Sequence, residues 1–313
     1  MNARASAPRV LVIGSANVDF TVAVARLPEP GETVTEGTLL VNGGGKGANQ
    51  AVAARRLGAE VRFIGCVGDD ASGRATRDAL SGEGIGVAGL SVTAAAATGT
   101  ALIVVDRVGR NQIAVAPGAN RALTVEMVEA RAEDFAWAQV VVCQLETPLA
   151  TVRWALEEAR RRGAVTILNP APVPPGPLDP WPVVDYLTPN AGEAARLSGI
   201  APADVRKAAA ALRERGSGTV IVTLGERGGL VESARERFTF DAFPVTVIDT
   251  TAAGDAFNAA LALALAEHQP LRAGVRFASA TAALACTRRG AQASLPSRED
   301  VDRLLAGGRS PRR

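Results

Sequence analysis

The sequence predicts an α/β protein: a Rossmann-like, mostly parallel sheet with helices on both faces and a small β-sheet lid. Three observations predict it. Short apolar runs rich in β-branched residues recur at 10–14 (VLVIG), 61–65 (VRFIG), 140–144 (VVVCQ), 165–169 (VTILN) and 219–223 (TVIVT). Helical patterns lie between most of them, and apolar strands alternating with helices specify a parallel sheet covered on both sides. Two segments, 18–40 and 98–116, break that rhythm and alternate like half-exposed strands.

The elements follow in order. VLVIG is the first core strand, and 18–40 is the first lid segment. GANQAVAARRLG, from Gly47, reads as a helix entered through glycines, and VRFIG returns to the sheet. The second lid segment, 98–116, carries a hairpin signal, VGRN, at its centre. PLATVRWALEEARRRG, from Pro148, and ADVRKAAAALRERG, from Ala203, are helices that each close in a basic turn and a glycine. PAPVPPGPLDPWP at 170–182 reads as a rigid surface connection. DTTAAGDAFNAALALALAE at 249–267 reads as a small-residue turn entering a buried helix. The expectation is one domain over 1–313, with the lid inserted at 18–40 and 98–116 and a cleft where the lid overhangs the carboxyl ends of the strands.

Bulk properties exclude several classes. A chain of 313 residues that is 47% apolar buries a sizeable core. Its 34 basic and 32 acidic side chains leave a charge of +2 with no basic, aromatic-interleaved stripe, which argues against nucleic acid. The terminal RSPRR reads as a solvated tail. Cys66, Cys143 and Cys286 are far apart in apolar surroundings and fit buried thiols of a reducing compartment. The single histidine, His268, argues against a histidine zinc site and reads as a surface residue at a helix end. ALALALAE is too short to span a bilayer, and RVLVIG is too short for a signal segment, so the expectation is a soluble cytoplasmic protein with no membrane partner.

The motifs point to a small-molecule site. NGGGKGANQA at 42–51 lacks the Ser or Thr of a Walker A loop after Lys46, and leaves a tight turn that opens a helix with Lys46, Asn49 and Gln50 on its first turn. GSANVD puts Asn17 and Asp19 two apart on one side of an extended segment, which suits vicinal hydroxyls or an Asx turn at a strand end. CQLETP carries Glu146 just past a strand. TPNAGEA sets Asn190 and Glu193 at a helix entrance, as a cap or as organisers of magnesium and its waters. TLGERGG, with Thr223 to Gly228, is a strand end with a glycine turn, a hairpin or a nucleotide wall. Asp255 raises a question of its own. It stands where helix N–H groups attract anions, and a carboxylate there would repel a phosphate.

Taken together, GSANVD, PGETV, GGGKGANQA, GDD, QLETP, NPAP, TPNAGEA, TLGERGG, DTTAAGDAF and TRRGAQASLP occur in an order that resembles the ribokinase branch of the PfkB-type sugar kinases over nearly the whole chain. The resemblance implies transfer of the γ-phosphate of ATP to a sugar hydroxymethyl group, the 5-hydroxyl of D-ribose in ribokinases. It gives Asp255 a role: general base toward that hydroxyl, with the N–H groups of Ala252, Ala253, Gly254 and Asp255 as an anion hole. The sugar oxygen then lies between acid and phosphate.

By the same resemblance, Asn17, Asp19, Gly45, Lys46, Asn49 and Glu146 hold the sugar, covered by lid strands through Ile113. Asn190 and the turn Thr223, Leu224, Gly225, Glu226, Arg227 and Gly228 line the nucleotide, with Ser279 near the adenine where relatives place histidine or asparagine. Glu193 belongs to the magnesium environment. Asp249, Thr251, Ala285, Arg288, Gly290 and Ser294 match a monovalent-cation site, usually for potassium, several through carbonyls. Ala16 and Gly43 are small where bulkier side chains are common. A homodimer through the lids is implied. Alternative acceptors are deoxyribose, another pentose or a nucleoside. A non-catalytic sugar-binding protein is the alternative from another class, opposed by the intact Gly254 and Asp255 pair.

Overall fold

The structure, a computed structural model, describes residues 7–176 and 178–307. RSPRR and the first six residues lie outside that range.

The chain enters through β1 (Arg9–Ile13), leaves the main sheet for β2 (Asn17–Ala23) and β3 (Thr38–Gly44), and returns through α1 (Lys46–Arg56) to β4 (Glu60–Gly68). Next come α2 (Ala71–Gly82), β5 (Gly86–Thr93), then β6 (Gly99–Val105) and β7 (Asn111–Ala116). Short helices α3 (Val125–Glu129) and α4 (Ala132–Trp137) precede β8 (Val140–Cys143), α5 (Leu149–Arg161), β9 (Val165–Leu168), β10 (Val184–Leu187), α6 (Ala191–Ser198), α7 (Val205–Glu214) and β11 (Ser217–Thr223). The chain continues with β12 (Gly229–Ser233), β13 (Arg237–Phe240), α8 (Ala253–Ala266), α9 (Leu271–Ala285) and α10 (Arg298–Leu305).

Among the described residues, nine strands form the main sheet in the order β13, β12, β11, β10, β9, β8, β1, β4, β5. All its pairs are parallel except β11 with β12 and β12 with β13. β1 shows why both faces need helices. Val10 and Val12 join one apolar cluster with α1, α8 and α9, while Leu11 and Ile13 join the other with α4 to α7. All four are fully buried. α8 is apolar almost all round and lies inside the first cluster, as such a helix must.

The lid is a separate sheet with four strands among the described residues, β3, β2, β6, β7. Its first segment does not end at residue 40. β3 runs on to Gly44, so the glycine-lysine stretch is the end of a lid strand rather than a free loop, and 24–37 is not strand. Only Gly45 separates β3 from α1. Its φ is +85°, and a Cβ there would stand 2.8 Å from the Asn17 nitrogen and 2.9 Å from the Ala16 Cα, so glycine alone allows the chain to switch from strand to helix against that backbone. The 98–116 hairpin forms as expected, around Asp106, whose carboxylate accepts from the Val108 and Arg110 amides.

Four strands were not legible. β5 carries Gly86 and Gly89 on the sheet edge, β10 has four residues behind the Pro-rich stretch, and β12 and β13 fold back antiparallel. The Pro-rich stretch is not purely a surface connection, since Ala171 and Leu178 are buried. Cys66 and Cys143 are buried free thiols and Cys286 a half-buried one. His268 is exposed just past α8. Among the described residues, no helix is long and apolar enough to cross a membrane.

Candidate active site

The carboxyl ends of β1, β8, β9, β10 and β11 deliver polar residues to one end of the sheet, beside the first turns of α1 and α8. Asp255 lies in the first turn of α8 and is buried. It does not cap its helix. Its Oδ2 accepts from Asn49 Nδ2 at 2.9 Å and its Oδ1 from Gln50 Nε2 at 3.0 Å, both from the first turn of α1. Burial pushes this carboxyl above its usual range, opposed by the Lys46 charge and the two amides and reinforced by Glu146. Burial pulls the Lys46 ammonium down, but Asp255, Glu146 and Glu193 outweigh it and hold it above the usual lysine value. The centre of the site is thus a cation ringed by acids.

The turn before α8 has an unusual backbone. Ala252 takes a left-handed conformation, φ +61°, the kind of backbone that can gather successive amides into an anion-binding nest. Ala253 N–H donates to the Thr250 carbonyl at 3.3 Å, a long bond. A Cβ on Gly254 would meet nothing within 4 Å, so packing does not require glycine there.

Asn17 and Asp19 share one face of β2 and form no Asx turn, because both lie within the strand. Asn17 Oδ1 accepts from Asn120 Nδ2 at 2.7 Å. Burial and Glu146 push the Asp19 carboxyl up to about 6. Glu146 Oε2 accepts from the Lys46 amide at 3.0 Å and from the Ser15 hydroxyl, so it also closes the N-terminus of α1. Asn49 Oδ1 is buried without a hydrogen-bond partner. Ala16 is fully buried and donates its amide to Asn120 Oδ1, and the room left by Gly43 is taken by Gln292, whose Oε1 would stand 2.6 Å from a Cβ there.

The lid register decides which face covers these groups. Ile113 pairs with Ile103, Ile103 with Thr21, and Thr21 stands two residues from Asp19, so Ile113 lies on the same face as Asp19. Val115 and Leu40 share that face, whereas Leu39, Val41 and Leu102 lie on the other.

Asn190 and Glu193 form a reciprocal cap on α6: Asn190 Oδ1 accepts from the Glu193 amide at 2.9 Å and Glu193 Oε2 from the Asn190 amide at 2.8 Å. Asn190 bridges to Thr223, which starts a β11–β12 hairpin in which Leu224 N–H donates to the Gly228 carbonyl at 2.7 Å. Gly225, Glu226 and Arg227 form one 3₁₀ turn. A Cβ on Gly228, φ +73°, would collide with the Phe240 carbonyl and stand 2.7 Å from the Asp241 Cα, and the Ser279 hydroxyl on α9 donates to the Asp241 carbonyl at 3.3 Å. One wall therefore brings together all the residues expected on the nucleotide side.

Residues 7–298 match the pfkB family of carbohydrate kinases. The chain belongs to the PfkB carbohydrate kinase family. It is 39% identical to a ribokinase of Haemophilus influenzae over 94% of this chain and 97% of that protein. It is 35% identical to a deoxyribokinase of Salmonella typhimurium over 95% and 98% respectively. The solved structure of an Arabidopsis thaliana ribokinase complexed with ribose and ATP matches with a TM-score of 0.88 at 32% identity, covering 96% of this chain and 99% of that one.

A second loop pair of this PfkB kinase adjoins the α8 turn. Asp249 Oδ1 accepts from the Thr251 amide and hydroxyl, its Oδ2 from the Gly290 amide at 2.9 Å, and the Ile248 and Asp249 amides donate to the Cys286 carbonyl. Ala285 and Ser294 are buried beside these, while the Arg288 side chain is half exposed and faces Asp300, leaving only its carbonyl for the loop. Sequence reading missed Ser15, Asn120, Gln144, Thr188 and Asn258 at the site, and gave Gln50 and Asn169 no role. Single polar residues at strand ends carry no periodic signal, and only their convergence in space marks them.

Proposed function

We propose that this chain transfers the γ-phosphate of ATP to the 5-hydroxyl of D-ribose, giving ribose 5-phosphate and ADP. The observation that carries the reading is Asp255: a buried carboxylate between two amides and a lysine, in the first turn of α8 and directly after the left-handed Ala252. In this reading Asp255 takes the proton from the sugar hydroxyl, and the N–H groups of Ala252, Ala253, Gly254 and Asp255 stabilise the charge on the transferring group. Asn17, Asp19, Gly45, Lys46, Asn49 and Glu146 hold the sugar, and the unpartnered Asn49 Oδ1 is an acceptor ready for a hydroxyl. Ile113 and its neighbours on the same lid face cover it and keep water out. Asn190, Thr223 to Gly228, and Ser279 line the nucleotide.

Two ions belong to this reading. Among the described residues no cluster of three or more acidic, histidine or cysteine side chains could hold a metal. We place magnesium on the ATP phosphates with most of its water, near Glu193, whose Oε2 is occupied by the cap. A magnesium ion held there would supply neutralisation of the phosphate charge. The Asp249 carboxylate with the carbonyls of Thr251, Ala285, Arg288 and Gly290, and with Ser294, offers the hard oxygen set that potassium prefers. We also assign the apolar outer face of the lid to a homodimer, and the free thiols to a cytoplasmic setting.

The test is ADP release with magnesium and ATP, using D-ribose, 2-deoxyribose and a nucleoside in parallel, each in potassium and in sodium. Ribose-dependent turnover that rises in potassium is expected. The deoxyribokinase relative supports a second reading, and turnover on deoxyribose above that on ribose would replace the first by it. Asp255→Asn should bind both substrates and lose at least about 10² in turnover.

A further inference from the structure

Behind the Asp255 carboxylate lies a row of buried polar side chains that no step above uses. Gln50, on α1, is fully buried. Its Nε2 donates to Asp255 Oδ1 at 3.0 Å and to Asn169 Oδ1 at 3.3 Å, and its Oε1 accepts from Gln144 Nε2 at 2.6 Å. An ionised carboxylate only accepts, so Asp255 fixes which end of the Gln50 amide faces it. Gln50 in turn fixes Gln144 and Asn169. The Gln144 Oε1 is left buried without a partner, so the row is oriented from Asp255 and not from Gln144.

The row continues beyond Asn169. Asn169 Nδ2 donates to the Thr188 carbonyl at 3.3 Å, the Thr188 hydroxyl donates to Asn258 Oδ1 at 2.6 Å, and Asn258 Nδ2 donates to the Gly254 carbonyl at 2.8 Å. That carbonyl and the Asp255 N–H belong to one peptide plane. The path therefore leaves the Asp255 side chain and returns to the Asp255 amide. Burying so many polar groups costs desolvation that apolar packing would avoid, which points to a need for orientation.

We propose that Gln50 is a positioning residue for the proton-accepting carboxylate, and that Asn169, Thr188 and Asn258 tie it to the Gly254–Asp255 peptide so that base and anion-binding turn are oriented as one unit. The inference rests on the reading of Asp255 as the base. Gln50 has both ends of its amide taken up by Asp255, Asn169 and Gln144, unlike Asn49, whose Oδ1 has no partner among the described residues, so its effect is on turnover rather than on substrate affinity.

The experiment compares Gln50→Leu, Gln50→Glu, Thr188→Val and Asp255→Ala for kcat, KM for the sugar and the pH profile of kcat. Gln50→Leu is expected to lower kcat by about 10-fold to 10²-fold, the scale of a misplaced reacting group, with KM little changed. Its acid limb moves to higher pH, because the lost hydrogen bond favoured the charged carboxylate. The other groups facing Asp255, namely Lys46 and Asn49 from α1 and Glu146 from the segment after β8, are unchanged in that variant, as are Asp19 and Glu193 further out. Gln50→Glu keeps the shape, adds a like charge and moves the limb further. Thr188→Val lowers kcat and leaves the limb in place. A Gln50→Leu enzyme with normal kcat and an unmoved limb, beside an inactive Asp255→Ala, overturns the proposal. Turnover retained in Asp255→Ala overturns the base assignment instead. If Gln50→Leu does not fold, an unmoved limb in Gln50→Glu overturns the proposal on its own.

Discussion

Asp19 and Asp255 are both carboxyls that burial pushes up, and their surroundings separate their roles. Asp255 has a lysine and two amides opposing burial and Glu146, whereas burial and Glu146 act on Asp19 unopposed and raise it to about 6. A carboxyl whose folded value exceeds its unfolded one lends stability only while protonated. That contribution is complete below about 4 and is lost as pH rises to about 6. Asp19→Asn should therefore melt higher than the parent protein above pH 7, with the gap closing toward pH 4, as read by thermal melts across pH. Sugar affinity in the parent should fall as pH drops below about 6, because protonated Asp19 loses acceptor capacity. Gly254 offers the opposite trade. Since a Cβ there meets open space, Gly254→Ala should raise stability by about 0.4–1 kcal/mol while lowering turnover, the methyl group occupying room meant for the phosphoryl group. Unchanged turnover with a higher melting point would show that no ligand approaches this turn closely.

At the level of elements, the junction of β3 and α1 sets the site. α1 presents Lys46, Asn49 and Gln50 from one turn, and it can do so because Gly45 lets a lid strand become a core helix against the backbone of residues 15–17. Gly45→Ala forces a left-handed backbone on alanine as well as a backbone clash. It should cost at least about 1–3 kcal/mol in a urea titration. Activity should fall with it, because the three side chains that frame Asp255 move together.

For the whole molecule, the lid is a sheet with two apolar faces, to which the proposed function gives different tasks. Leu40, Ile113 and Val115 share the Asp19 face, while Leu39, Val41 and Leu102 expose an apolar outer face that a lone chain would leave in water. If the proposed homodimer forms through this face, Leu102→Glu should shift it to monomer in sedimentation velocity while the isolated fold remains intact. A dimer of unchanged strength would move the interface elsewhere.

The sequence by itself determined the layered α/β core, because strand and helix periodicities are local and β1, α5, α7 and α8 lie where their patterns put them. It also determined the separate lid and, through ordered motifs, the family. It did not show that the glycine-lysine stretch ends a strand, since glycines erase the alternation that marks one. Nor did it show β5, β10, β12 and β13, which are short or lie at a sheet edge. Asp255 was legible as an anomaly, an acid at an anion-attracting helix start. What holds it was not. Gln50, Gln144, Asn169, Thr188 and Asn258 come from α1, three strand ends and α8, and only the parallel sheet, which gathers strand ends at one edge, brings them within hydrogen-bonding distance.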